Sequence, residues 1–246
     1  MRNNQPVINV YNKKNKKSEV VTQLLYGESF KIIQKNGRWI KIKNDSDKYK
    51  GFILKKKFSS KQKNTHKVCK LSAILYSKPG IRIKKKLSFG SKITVSKKKN
   101  NFYKFDNFWI KKKDLKKINY KTKNIFKNVE KFLGTKYKWG GKHYTGIDCS
   151  GLVQLFFDFN NKFCPRDTKD QIKYFRKKVK LKNIRKNDLI FWKGHVAIAL
   201  SSHMLIHAYG PVKSTCTMSI NKTIDRIYKT ANLKVLGIRR INYLFM

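Results

Sequence analysis

Carboxylates are what this chain has least of: 13 Asp and Glu stand against 60 Lys and Arg in 246 residues, a formal charge of +47. Such an imbalance ordinarily points to nucleic acid or an anionic surface. Here, however, lysine runs through every segment, as in Lys55–Lys57, Lys84–Lys86, Lys97–Lys99 and Lys111–Lys113. Arginine, the residue suited to bidentate phosphate contact, is scarce. No zinc-finger, RNP or phosphate-loop pattern accompanies the charge. A specific nucleic-acid partner is therefore not expected. The excess of Lys, Asn and Ile is that of AT-rich coding, and it leaves a basic surface able to hold anionic polymers non-specifically.

Long apolar runs are missing as well. None approaches the length that crosses a bilayer, and Met1–Tyr11 has no continuous apolar stretch of the secretory kind. The expectation is a cytoplasmic protein, with an exported or wall-associated one as the alternative. Cysteine is sparse: Cys69, Cys149, Cys164 and Cys216 show neither metal-ligand spacing nor a disulfide framework. No metal and no cofactor is expected, and free thiols suit a reducing compartment. A 40% hydrophobic and 13% aromatic content supports real cores and excludes a disordered tail.

The first half holds a faint duplication. Leu24–Ile32 resembles Leu87–Val95, and Trp39-Ile40-Lys41-Ile42 answers Phe102-Tyr103-Lys104-Phe105 at the same offset of 63 positions. Gly51-Phe52-Ile53 then answers Phe108-Trp109-Ile110. Short alternating runs split by Asn, Gly and Lys turns predict antiparallel strands in two small barrels, residues 1–60 and 68–118. Phe58–Lys67 reads as the linker between them. Glu28, in Tyr26-Gly27-Glu28, reads as an exposed turn carboxylate and, in so cationic a chain, as a candidate ligand for an amine.

The chemistry lies further on. Gly146-Ile147-Asp148-Cys149-Ser150-Gly151-Leu152-Val153 puts a thiol where a turn enters an apolar helix, and helix N-termini favour the thiolate. A helix is also expected over Asn124–Glu130 and another over Lys169–Lys178. Strands are expected at Asp188–Trp192, His195–Leu200, Met204–Ala208 and Leu233–Arg239. If the second and third pair across Ser201-Ser202-His203, His195 and His207 meet on one sheet face. Helices followed by strands indicate an α+β domain with an antiparallel sheet. His143 and His203 fall in expected turns and read as surface residues.

Six blocks occur in order: Tyr137-Lys138-Trp139-Gly140-Gly141, Asp148–Val153, Pro165-Arg166-Asp167, Asp188–Trp192, Gly194–Ile198 and Ile206-His207-Ala208. Together they resemble the NlpC-type cell-wall cysteine peptidases. The resemblance implies a papain-like catalytic domain over 122–246, preceded by two SH3-like barrels. Two such modules also resemble the subgroup that cleaves γ-D-glutamyl bonds in peptidoglycan stem peptides with a free N-terminal L-alanine. Carried over, Cys149 is the nucleophile, His195 the base and His207 the residue orienting it. Substrate contacts are implied for Tyr137, Asp148, Ser150, Asp167, Thr168 and Glu28. A thiolate–imidazolium pair at neutral pH is expected. The alternatives are an endopeptidase acting on intact wall and a non-catalytic polyanion-binding protein. Asn187 and Cys164 depart from the family pattern, which normally has Gly and an aliphatic residue there.

Overall fold

The computed structural model describes residues 1–241; the last five, part of the expected third domain, lie outside the described residues. Contacts divide the chain into two compact units. One comprises Met1–Lys121 with Gly140–Tyr144 and Phe159–Asn161; the other comprises Thr122–Trp139, Thr145–Asp158 and the chain from Lys162 onward.

In the first unit, strands β1 (Val7–Tyr11), β2 (Val20–Leu25), β3 (Phe30–Asn36), β4 (Trp39–Asn44) and β5 (Lys50–Leu54) form one sheet in the order β2-β1-β5-β4-β3. All of its pairings are antiparallel. Alternation puts Val10, Leu24, Phe30, Ile40, Ile42 and Ile53 into its core. The following stretch supplies β6 (His66–Val68), β7 (Ser72–Lys78), β8 (Ile81–Ser88), β9 (Lys92–Ile93), β10 (Lys97–Lys99), β11 (Phe102–Phe105), β12 (Phe108–Lys111) and β13 (Leu115–Lys117). These make a five-stranded sheet, β10-β11-β12-β7-β8, and a three-stranded one, β13-β6-β9.

Tyr26 links the two halves: its ring joins the second core and meets Phe105 edge-on at 5.5 Å. Its hydroxyl bonds to Asp106, whose carboxylate also takes two hydrogen bonds from buried Arg2, at 2.8 and 3.0 Å. Gly27 has φ +80°, and a Cβ there would lie 1.9 Å from the carbonyl oxygen of Lys92, so only glycine lets these backbones approach. The expected linker is not wholly a linker. Lys67 in β6 is fully buried, and its ammonium donates to the carbonyls of Tyr120 and Phe159.

Two short strands, β14 (Lys142–His143) and β15 (Gly146–Ile147), precede α1 (Cys149–Phe159). The second unit then continues through α2 (Thr168–Tyr174), β16 (Lys177–Val179), β17 (Leu189–Trp192), β18 (His195–Ala199), β19 (Met204–Tyr209), β20 (Ser214–Ser219), α3 (Ile220–Ala231) and β21 (Gly237–Arg240). Its sheet runs β16-β21-β17-β18-β19-β20, antiparallel throughout. The chain is therefore α+β, with an all-β N-terminal part.

The helix expected over Asn124–Glu130 does not form. Asn128 takes a left-handed conformation (φ 61°), and only a 3-10 turn, Val129–Phe132, follows it. The second helix is shorter than expected and gives way to β16 after Tyr174. β20 and α3 were not anticipated. α3 buries Ile220, Thr223 and Ile227 against the sheet core beside Trp192, Ala197 and Leu205.

Candidate active site

Cys149 is the first residue of α1, and the turn before it explains its placement. Asp148 caps the helix: its Oδ1 accepts the Gly151 N–H at 2.6 Å and its carbonyl accepts the Leu152 N–H at 2.9 Å. The helix is buried on almost every side, through Leu152, Val153, Leu155, Phe156 and Phe157, so its first turn cannot drift. The thiol is only 5% exposed. Its Sγ lies 3.9 Å from the Gly194 carbonyl, and backbone N–H groups of Val196 and Ser150 point to it. The sulfur is therefore seated against the backbone on both sides of His195.

His195 opens β18. Ile198 faces Ile206 and Ala199 faces Leu205, a register that puts His195, His207 and Tyr209 on one face of the sheet. His195 Nε2 lies 2.9 Å from His207 Nδ1. Tyr209 stacks on His207 at 4.5 Å and 10°, and Trp192 packs against the His195 ring at 5.6 Å. When His195 takes a proton on its other nitrogen, Nε2 carries hydrogen and His207 Nδ1 accepts it, which fixes the tautomer of both rings.

Electrostatics modifies the sequence expectation of a resting ion pair. Burial, then the neighbouring Asp148 carboxylate, push the Cys149 thiol up to about 12, against the Val196 and Ser150 N–H groups and Arg166. Burial lowers His195 to about 4, and burial together with His195 and Arg226 lowers His207 to about 3. Both effects favour a neutral thiol and neutral imidazoles, because each charged form loses hydration.

The same directions give a stability prediction. In the unfolded chain both imidazoles titrate near about 6.5. Between there and about 4 the unfolded state binds more protons than the folded one, so stability falls as pH drops. The urea midpoint should be lower at pH 5 than at pH 7, and His207→Gln should shrink that difference. An unchanged midpoint would contradict the buried, neutral histidines.

The remaining expected residues divide. Asp148 is 6% exposed and engaged by Arg166, with Nη1 to Oδ1 at 3.0 Å and Nη2 to Oδ2 at 2.6 Å. Arg166 also donates to Ser150 Oγ at 2.8 Å. Asp148 and Ser150 thus hold the nucleophile's turn in place. Arg166 was quoted in its sequence block without a role; its rarity in a lysine-rich chain was the available signal.

Tyr137 donates its N–H to the Lys213 carbonyl, and its ring lies 3.6 Å from where a Cβ on Gly210 would sit. Burial, with Cys149 and Asp148, raises its hydroxyl, which stays a proton donor. Asp167 is the N-cap residue of α2, whose first residue is Thr168, and its carbonyl accepts from Asp170 and Gln171.

Glu28, in the first unit, is not the exposed turn carboxylate expected. It is 3% exposed; Oε1 pairs with Lys142 Nζ at 2.9 Å and Oε2 accepts the Leu25 N–H at 2.9 Å. A desolvated carboxylate needs such partners. His143 is likewise buried at 4%, whereas His203 is exposed as expected. Among the described residues no cluster of His, Cys, Asp or Glu could hold a metal ion. Among the described residues no helix is long and apolar enough to cross a membrane.

Known proteins resemble this chain in sequence and fold. The NlpC/P60 family matches residues 134–233, and the bacterial SH3 domain matches residues 6–59. The chain is 34% identical over 85 residues to dipeptidyl-peptidase 6 of Lysinibacillus sphaericus, a match covering 35% of this chain and 31% of that protein. It thus spans less than a third of that relative. It is 24% identical to the gamma-D-glutamyl-L-lysine dipeptidyl-peptidase of Bacillus cereus, over 83% of this chain and 72% of that one. A crystal structure of an NlpC/P60 family protein from Bacillus cereus superposes with a TM-score of 0.82 at 19% identity, covering 97% of this chain and 98% of that one. Beside the thiol and the paired imidazoles described above, residues 134–233 of this chain are thus similar to the NlpC/P60 family, and residues 6–59 to the bacterial SH3 domain.

Proposed function

We propose that the protein hydrolyses the γ-D-glutamyl–diamino acid bond of stem peptides that begin with a free L-alanine. The observation that carries this reading is the thiol at the start of α1, seated against the backbone of residue 195 while the His195 ring is held by His207. In the proposed reaction Cys149 sulfur attacks the γ-carbonyl carbon of D-glutamate as its proton passes to His195. Backbone N–H groups at the helix start stabilise the oxyanion. The tetrahedral species collapses, the C–N bond breaks, and His195 returns the proton to the departing amine. Water, losing a proton to His195, then cleaves the thioester and frees L-Ala-γ-D-Glu and the thiol.

Asp167 and Thr168 at the start of α2, with Tyr137, form the proposed recognition set; Asp148 and Ser150 act through the turn they hold. The Glu28 carboxylate is paired with Lys142, so the ammonium contact is assigned to Asp167. Similarity to the Bacillus cereus gamma-D-glutamyl-L-lysine dipeptidyl-peptidase supports the bond assignment. Residues 68–118 are, in this reading, a second SH3-like module.

Mass-spectrometric analysis of matched peptides tests the proposal. L-Ala-γ-D-Glu-diaminopimelate or its lysine counterpart should release the dipeptide. The N-acetylated peptide should react about 100-fold more slowly, since losing a charged contact is worth roughly 3 kcal/mol. Equal cleavage of both, together with cutting of intact sacculi, would replace this reading with a wall endopeptidase.

A further inference from the structure

A cavity of about 730 Å³ lies in the first unit, lined by Lys111, Lys112, Lys113, Lys116 and Lys117 with His66 and Asn101. Its size is that of a ligand pocket rather than a duplex groove. Five of its lining residues are cations and none is acidic. Asp114, the only carboxylate in the run from Lys111 to Lys117, is buried at 5% and does not line it. Lys112, Lys113 and Lys117 are exposed. They stand in the turn after β12 and in β13, whereas the ammonium groups of Lys111 and Lys116 lie over the rings of Tyr76 and Tyr120 at 6.0 and 5.2 Å.

The ligand chemistry follows from which residues are present. The wall has no arginine, so it offers no planar fork for bidentate pairing with a carboxylate or a phosphate. Its lysines offer several separate single donors, which suit tetrahedral phosphate oxygens met one by one. Two aromatic rings reach the cavity, but neither is a platform for bases. Tyr103 meets His66 edge-on at 5.2 Å and carries Lys98 over its face at 5.5 Å. Phe102 is packed edge-on against Tyr76 at 4.9 Å. Binding of single-stranded nucleic acid relies on open stacking faces.

We propose that this cavity binds a short stretch of a flexible phosphodiester polymer without bases, such as a chain of polyol phosphates. The site would hold the protein on an anionic polymer while the second unit acts elsewhere. This proposal does not depend on which peptide bond is cut, and the two can fail separately.

The test titrates the full-length protein with a fluorescent six-unit glycerol-phosphate oligomer, with single-stranded DNA of equal phosphate count and polyglutamate of equal charge as rivals. Lys112→Gln, Lys113→Gln and Lys117→Gln are combined in one variant. A control variant removes equal charge at Lys55, Lys56 and Lys57, which are exposed outside the cavity. Far-UV circular dichroism and peptide hydrolysis check that both variants fold. The cavity variant should weaken oligomer binding at least tenfold. It should also lower the slope of log affinity against log salt by roughly 2, at about 0.7 per phosphate contact for a single strand. The control should stay within twofold. Equal weakening by both variants would mean diffuse attraction only. DNA or polyglutamate bound more tightly through the same lysines would give the site to that class. Absence of oligomer binding would also overturn the proposal.

Discussion

Cys149→Ala should lower kcat/KM on the free stem peptide by about 10⁴-fold or more, with the thermal midpoint nearly unchanged. The magnitude follows from the chemistry of the proposed route, in which the Cys149 sulfur is the attacking atom and the thioester cannot form without it. Among the described residues the other three cysteines form no disulfide: Cys164 points to the Pro165 carbonyl at 3.5 Å, Cys69 lies in the other unit, and Cys216 in β20 stands opposite His207 of β19, not at the start of α1. Alanine removes one buried atom at the start of a helix that Asp148 still caps, so the fold should tolerate the change. His195→Ala should cause a loss of similar size, because residues acting as a unit are not additive. More than 1% residual activity in Cys149→Ala, measured by the same product analysis, would exclude sulfur as the nucleophile.

The second large effect is on stability. Arg166→Leu leaves the Asp148 carboxylate buried without its cation, an arrangement that costs about 3–5 kcal/mol. For a chain of this size roughly 2–4 °C is lost per kcal/mol, so the melting midpoint should fall by about 6–20 °C. The double variant Asp148→Asn with Arg166→Leu separates charge from shape. Asparagine keeps an oxygen to cap α1 but carries no charge, so much of the lost stability should return. Calorimetry on the two single variants and the double closes the cycle. A midpoint that moves by less than 3 °C in Arg166→Leu would mean that solvent reaches the pair and screens it.

The turn before Cys149, the strands of His195 and His207 and their common sheet face were legible because they rest on short-range rules. A capping Asp, small residues and an apolar run mark a helix start, and period-two alternation marks a strand. What escaped depends on partners remote in the chain. α3 carries Ile220, Ile224 and Ile227 at helical spacing, but the lysines and asparagine among them hid the stripe. β20 reads Ser-Thr-Cys-Thr-Met-Ser and becomes a strand because β19 pairs with it along six residues. Lys67 and Lys142 looked like members of a solvated majority. Each is buried because a distant carbonyl or carboxylate receives its ammonium group, which composition cannot reveal. Burial works against the thiolate expectation for a related reason: a helix start lowers a thiol only as far as water or a cation can reach it, and burial pushes this one up.

Four of the thirteen acidic residues lie inside the fold: Glu28, Asp114, Asp148 and Asp188. A genome drifting towards A and T replaces Glu with Lys, and Asp with Asn, through one base change in the codon. At an exposed position such as Asp170 or Asp225 that drift meets little resistance. At Glu28 it would set two ammonium groups face to face in the interior, opposite Lys142. The interior carboxylates are therefore the positions at which such a change would carry a cost in stability.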